Sequence, residues 1–396
     1  MTKVLIIVDK FKGSLTAREA ASIIASQFQK EIPGIITCEL PLADGGDGTL
    51  DAVSHFGHEI LKISTVDALG RKIEVPVLRI GNRVLCEMAQ STGLWNLSQN
   101  DRNPLLTSSY GFGIVINEVA KRGFRNILLG IGGSATNDVG TGMLSALGYR
   151  FLDSAGHLID VHNNHLGFVS ESRLSPSFMT GASLDKIASI DSSQVPSYLK
   201  GINIEVACDV NNPLIGIYGA SRVYGPQKGA SPQDVEFLER GVIHFAQVCN
   251  EFLGYDYSEL PGAGAAGGVG FALASFLDAR LLSGWRVLFD FLDVDKQIED
   301  ANLVITGEGR VDGQSLSGKL LDGVIEVTMK HKKRLWVLCG DNLLTNRELE
   351  IAGIEQLFSI SQLQPSKDKA IAGAKKYLEK VSLEAATFFN SSTSNE

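Results

Sequence analysis

The sequence predicts an α/β protein: a doubly wound parallel-sheet domain built from residues 1–64 and 285–396, with a second α/β domain inserted over residues 65–284. Three observations carry this. Short apolar runs read as strands (Lys3–Asp9, buried on both faces as in a parallel sheet, Leu303–Thr306 and Arg334–Cys339) and alternate with helix-length segments. The texture changes after His58, where Ile60–Val66, Lys72–Ile80 and Arg83–Met88 form short strands joined by a turn at Ala68-Leu69-Gly70 and a Gly81-Asn82 hairpin signal. The βα alternation then returns near residue 285.

In chain order, Thr16-x-x-Glu19 is a capping box for a helix through about Lys30. Ile35–Leu40 is the second strand, and Ala43–Thr49 (ADGGDGT) leads to a helix through about His55. A helix from Ser109 to Arg122 and a strand Asn126–Leu129 precede Gly130-Ile131-Gly132-Gly133-Ser134-Ala135-Thr136-Asn137-Asp138, after which a helix runs to Leu147. The polar stretch 153–185 reads as surface loops. Ile204–Val210 is a buried strand ending in Asp209, stopped by Asn211-Asn212-Pro213. Ser231-Pro232 caps a helix through Phe252, with Asp234 favouring its dipole. Pro261–Gly268 leads into the helix Val269–Leu277, Ser317-Gly318-Lys319 starts another, Gln356–Ser359 is a strand, and Lys367–Phe389 is a terminal helix before a frayed tail, Asn390–Glu396.

Composition narrows the function. A net charge of −9 with no basic cluster argues against nucleic acid, and no apolar stretch is long enough for a membrane span. The apolar run at the N-terminus is too short for a signal peptide, so a cytoplasmic location is expected. The five cysteines are scattered without a CxxC, which suits buried thiols in a reducing compartment. Forty-two glycines gather in loops after apolar runs, as backbone-lined pockets require. His157, His162 and His165 match no justified metal spacing.

The chemistry-bearing residues collect at strand ends, where open α/β sheets bind ligands. They are Lys12 and Ser14; Asp44 and Asp47 with Gly45 and Gly46; Asp209, Arg222 and Lys228; and Glu308, Asp312 and Lys319 with Gly307 and Gly309. Lysines there would neutralise phosphate or carboxylate, and carboxylates would hold Mg²⁺ or orient an attacking hydroxyl. Taken singly, each could equally be a solvated loop charge, and Asp47 and Thr49 could be simple helix caps. Asp209 could equally close an Asx turn. Asp138 after a glycine-rich turn makes sense if a divalent cation intervenes. Gly130-x-Gly132-x-x-Ala135 also resembles a dinucleotide turn, leaving an NAD(P)-linked oxidoreductase as the alternative, and a non-catalytic organic-acid binder as a third reading. Gly262-x-Gly264-x-x-Gly267 lacks a preceding strand. No Walker A sequence or nucleophile elbow occurs.

Seven blocks, DKFKGSLTA (9–17), ADGGDGT (43–49), GIGGSATND (130–138), ACDVNNPLIGIYGA (207–220), YGPQKGA (224–230), PGAGAAGGVG (261–270) and TGEGRVDGQSLSGK (306–319), together resemble the bacterial glycerate kinases in order and spacing. The resemblance covers nearly the whole chain. It implies a flavodoxin-like domain with an inserted second α/β domain, ATP- and Mg²⁺-dependent phosphorylation of D-glycerate (the 2-phosphate slightly favoured over the 3-phosphate), and a site in the cleft between the domains. Asp47, Val139 and Leu321 depart from the family's usual glutamate, glycine and proline. The resemblance does not assign the catalytic base; on their chemistry, Asp209, Lys228, Asp44 and Lys12 are the candidate catalytic residues. Ser14, Gly45, Gly46, Gly132, Gly133, Ser134, Asn137, Arg222, Gly307, Gly309 and Lys319 are candidates for binding substrate or phosphate, and Asp138, Glu308 and Asp312 for metal. The expected ligands are glycerate and nucleotide, with no nucleic acid or membrane, in a monomer or homodimer.

Overall fold

The computed structural model describes residues 2–42, 50, 59–159, 178–316 and 319–393. The described residues form two compact units, one within 2–42 and 283–393, the other within 50 and 59–282. Asp44, Gly45, Gly46, Asp47, His162, His165 and the helix expected to reach His55 lie outside the described residues.

The first unit is organised on a five-stranded, wholly parallel sheet. Its spatial order is Gln356–Ser359, Arg334–Cys339, Leu303–Gly307, Lys3–Val8 and Ile36–Pro41. Numbered along this unit the order is 2-1-3-4-5, that of flavodoxin-like sheets, with its switch point between Lys3–Val8 and Leu303–Gly307. Val4 to Val8 are fully buried, as strands covered on both faces must be. The Ala17–Glu31 helix starts at the expected cap: the Thr16 hydroxyl accepts from the Glu19 amide while the Glu19 carboxylate accepts from the Thr16 amide. Phe28 on this helix meets Phe389 on the last helix, and Trp336 from the sheet packs against the same ring. The expected single terminal helix is two, Lys367–Ala372 and Ala374–Thr393, broken at Gly373. Residues 390–393, expected to fray, continue the helix, with the Ser391 and Ser392 hydroxyls donating to backbone carbonyls one turn back.

The second unit carries a six-stranded mixed sheet in the order Arg280–Leu282, Asn203–Ala207, Asn126–Gly130, Arg83–Glu87, Lys72–Ile80 and Glu59–Val66. The last three strands pair antiparallel and the rest parallel. Three sequence expectations are corrected here. The strand expected over Ile204–Val210 ends at Ala207, because its neighbour ends at Leu282: the Cys208 amide takes the Leu282 carbonyl at 2.8 Å and no ladder remains beyond. The helix after the 130–138 loop starts only at Thr141, since Val139 and Gly140 are both left-handed. The stretch to 185 is not all surface: Leu184 is buried on the turn Gly181–Lys186 against Gly241 of the Pro232–Leu253 helix. That helix has its full capping box between Ser231 and Asp234.

Candidate active site

In the first unit, the C-terminal edge of the parallel sheet opens into a pocket of about 640 Å³. Four strand ends supply its wall: Asp9 to Ser14 follow Lys3–Val8, Gly307 to Asp312 follow Leu303–Gly307, Gly340-Asp341 follow Arg334–Cys339, and Ile360-Ser361 follow Gln356–Ser359. Its polar end holds Asp9, Lys12, Glu308, Asp312, Lys319 and Asp341. Its other end is largely aliphatic, made by Ile360, Pro365, Ala370, Ile371 and Ala374, with Ser361, Gln364 and Lys367 among them.

The polar loops are fixed by their backbones. The Asp9 amide donates to the Gly307 carbonyl at 2.9 Å, the Gly340 amide to the Glu308 carbonyl at 3.1 Å, and the Asp341 amide to the Gly309 carbonyl at 3.2 Å. A Cβ on Gly340 would lie 2.3 Å from the Gly309 carbonyl oxygen, and one on Gly307 only 1.8 Å from that of Leu338. Gly307 therefore lines the pocket, but sheet packing alone already requires glycine there. Lys12, Ser14 and Lys319 are exposed side chains on this wall, and Lys319 sits at the N-terminus of the Leu320–Lys330 helix. The Ser14 hydroxyl donates to the Phe11 carbonyl. One Asp312 oxygen accepts from the Gln314 amide and the other lies 3.8 Å from Arg310. Lys12, Ser14, Gly307, Glu308, Gly309, Asp312 and Lys319 are thus brought together in one pocket.

Sequence reasoning missed Asp9 and Asp341. Each follows an apolar run, so the rule that singled out Asp209 could have found them. The apolar end had no comparable signal, because it is assembled from short segments between 360 and 374.

The other expected residues lie in the second unit, and several do something different there. Asp138 is fully buried. It accepts hydrogen bonds from the Ser109 amide and hydroxyl, both at 2.8 Å, and from the amides of Gly140 and Gly142, both at 3.2 Å. Burial raises its pKa above the usual carboxylate range, the four donors offsetting this only in part. A carboxylate so occupied ties the Tyr110–Lys121 and Thr141–Ala146 helices together, and the metal role expected of it does not fit. It also takes the Gly142 amide at the helix start where a dinucleotide would need its pyrophosphate, so the Gly130-to-Ala135 turn does not make the geometry of an NAD(P) site.

Lys228, expected to reach an anion from a glycine-rich loop, points inward. It ends the turn Pro226–Lys228 and is only 2% exposed. Its Nζ donates to the Ser134 hydroxyl at 2.9 Å and the Thr136 carbonyl at 2.7 Å. Burial brings its pKa down to about 7, against the upward pull of Asp138. Asn137 is likewise buried and donates to the Ser221 hydroxyl at 3.0 Å. Of this loop, Gly133 is exposed and Gly132 half-buried, which leaves their backbone as the accessible part. Arg222, expected to bind phosphate, makes a two-pronged ion pair with Glu236 at 2.6 and 3.0 Å. Asp209 is exposed just beyond the Asn203–Ala207 strand.

Among the described residues, no three His, Cys, Asp or Glu side chains converge as a ready-made metal cage. Mg²⁺ in phosphoryl-transfer sites typically takes one or two carboxylates, the rest of its shell being water and substrate phosphate. The hard oxygen donors of the first pocket, Glu308 and Asp312 with Asp9 and Asp341, fit that requirement.

A sequence model of the Glycerate kinase family matches residues 4–390. The chain is 36% identical over 387 residues to a glycerate kinase of Bacillus subtilis, covering 97% of each chain. It is 38% identical over 375 residues to a glycerate 2-kinase of Escherichia coli, covering 94% of each. Among solved structures it superposes on a putative glycerate kinase 2 from Salmonella typhimurium with a TM-score of 0.81 at 35% identity, over 99% of both chains.

Proposed function

This chain belongs to the glycerate kinase family and is a phosphotransferase with an alcohol group as acceptor, and we propose that it transfers the γ-phosphoryl group of ATP to the 2-hydroxyl of D-glycerate. The observation that carries the reading is the first unit's pocket, where cations, carboxylates and tight glycine backbone stand at the switch point of a parallel sheet. The choice of the 2-hydroxyl is supported by the similarity to the Escherichia coli protein, whose name specifies that position.

In this reaction the glycerate hydroxyl oxygen forms a bond to the γ-phosphorus, the bond from that phosphorus to the β,γ-bridging oxygen breaks, and ADP leaves. The hydroxyl proton passes to a carboxylate or to water. Lys12 and Lys319 neutralise phosphate oxygens, helped by the amides at the start of the Leu320–Lys330 helix. Glu308 and Asp312 would hold an Mg²⁺ ion, which would supply charge neutralisation on the phosphates. Asp209 orients the acceptor hydroxyl or takes its proton. Lys228 acts indirectly, holding the Ser134-to-Thr136 segment from inside so that Gly132 and Gly133 present their backbone to an anion.

The test is ADP release in a coupled assay with D-glycerate, followed by ³¹P NMR of the product. Glycerate-dependent ADP formation with phosphorus on the 2-oxygen is the expected result. No turnover with glycerate refutes the activity, and a 3-phosphate refutes only the position.

A further inference from the structure

We propose that the largely aliphatic end of the first unit's pocket, formed by Ile360, Pro365, Ala370, Ile371 and Ala374 with Gln364 and Lys367 beside them, is the subsite for the purine of the nucleotide. The inference rests on the kinase reading and deepens it by placing the donor. Of the two reactants, glycerate is a three-carbon hydroxy acid whose every carbon carries oxygen. It gains nothing from an aliphatic wall. The purine is the one large flat group with apolar faces in the reaction, and burying such faces is what favours it there.

The wall is built for a guest of that kind. Ile360 is 2% exposed and Ala374 is 6% exposed, so both belong to the unit's packed interior, whereas Ile371 leaves 38% of its surface open. An aliphatic side chain half in solvent at a pocket's rim is covered when a flat ring enters. Ala370 and Ala374 keep the space open, since a larger residue at either place would fill it. The volume of about 640 Å³ is well beyond the need of a three-carbon acid and falls within the roughly 300–1,000 Å³ of sites for larger ligands.

A polar reader stands at the same end. The Gln364 side-chain amide donates to the Tyr377 hydroxyl at 3.1 Å, and its oxygen accepts from the Ser366 amide at 3.2 Å. A primary amide has two donor hydrogens and two acceptor lone pairs. The fixed group therefore retains one of each for the edge of a purine. From this end the pocket is continuous with Lys12, Lys319, Glu308 and Asp312. A nucleotide with its base among residues 360–374 thus directs its phosphates toward the cations and metal-binding carboxylates at the switch point.

The experiment compares wild type with Ala370→Trp, which fills the subsite, and Gln364→Ala, which removes the reader with less risk to folding. Binding of the non-hydrolysable analogue AMP-PNP with Mg²⁺ is measured by calorimetry without glycerate, and steady-state kinetics are measured with both substrates. Ala370→Trp is expected to weaken AMP-PNP binding and raise the KM for ATP by at least about tenfold, with the KM for glycerate within about twofold. Gln364→Ala is expected to weaken both nucleotide measures by about fivefold. Unchanged AMP-PNP affinity in both folded variants, or an effect falling on the glycerate KM instead, overturns the proposal. If Ala370→Trp does not fold, Gln364→Ala decides alone. The binding arm also separates this inference from the reaction assignment: loss of AMP-PNP binding in the variants upholds the subsite even if the acceptor proves not to be glycerate.

Discussion

Replacing Lys228 by methionine should reverse the sign of its stability effect between neutral and alkaline pH. A pKa near 7 against an ordinary 10.5 makes the charged form about 5 kcal/mol less favourable in the fold than in water, at about 1.4 kcal/mol per pH unit. Because the side chain is buried, solvent does little to screen this. The folded pKa is depressed for a base, so between pH 7 and 10.5 the unfolded chain binds more protons than the folded one. Stability from this group therefore rises with pH across that window, and the full penalty stands below pH 7. Lys228→Met removes the penalty but leaves the Ser134 hydroxyl and Thr136 carbonyl without their donor, a loss of about 1–3 kcal/mol at any pH. The variant should then be more stable than wild type at pH 6.5 by roughly 2–4 kcal/mol and less stable above about pH 9. Urea unfolding of both proteins at pH 6.5, 8 and 9.5 reads the difference, and the ¹³Cε shift of Lys228 in labelled protein reads the titration directly. A stability difference that does not change with pH, or a lysine titrating above pH 10, refutes the argument. If the ammonium also positions the glycine loop, kcat/KM should fall in the variant even where its stability exceeds that of wild type.

Four further outcomes follow from the geometry. Asp209→Asn should lower kcat by about two orders of magnitude with the fold intact, partial recovery at high Mg²⁺ marking it as a metal ligand; near-wild-type kcat removes it from the reaction. Lys319→Ala should cost about 2–4 kcal/mol in kcat/KM for ATP by removing a charge from the pocket wall, which steady-state kinetics will read. Gly307→Ala should destabilise by about 2–3 kcal/mol or more in urea unfolding, because its Cβ would stand 1.8 Å from the Leu338 carbonyl oxygen and spread the sheet at the pocket floor. Ser231→Ala should cost about 1 kcal/mol by removing the acceptor of the Asp234 amide, with little effect on nucleotide KM.

The sequence by itself determined the elements whose causes are local. The capping box at Thr16, the serine cap at Ser231, the apolar runs that became central parallel strands, and the Gly81-Asn82 hairpin involve residues within a few positions of one another, and each stands where the pattern places it. It also brought out one wall of a pocket, because polar residues that follow a buried apolar run must emerge at a sheet edge; Lys12, Glu308 and Asp312 are such residues. The tertiary structure decided what each charge faces. The reason is that a side chain's role depends on desolvation and on partners far away in sequence. Lys228 is buried by a segment 92–94 positions earlier, and Asp138 is occupied by Ser109, 29 positions away. Arg222 is neutralised by a glutamate on the next helix, 14 positions on. All three had the right chemistry for binding an anion or a metal, and packing gave them to the interior or to one another. The 360–374 end of the pocket is the converse case: Ile360, Ala370 and Ile371 look like ordinary core positions along the chain, and only the packing of the unit sets them in one pocket lining.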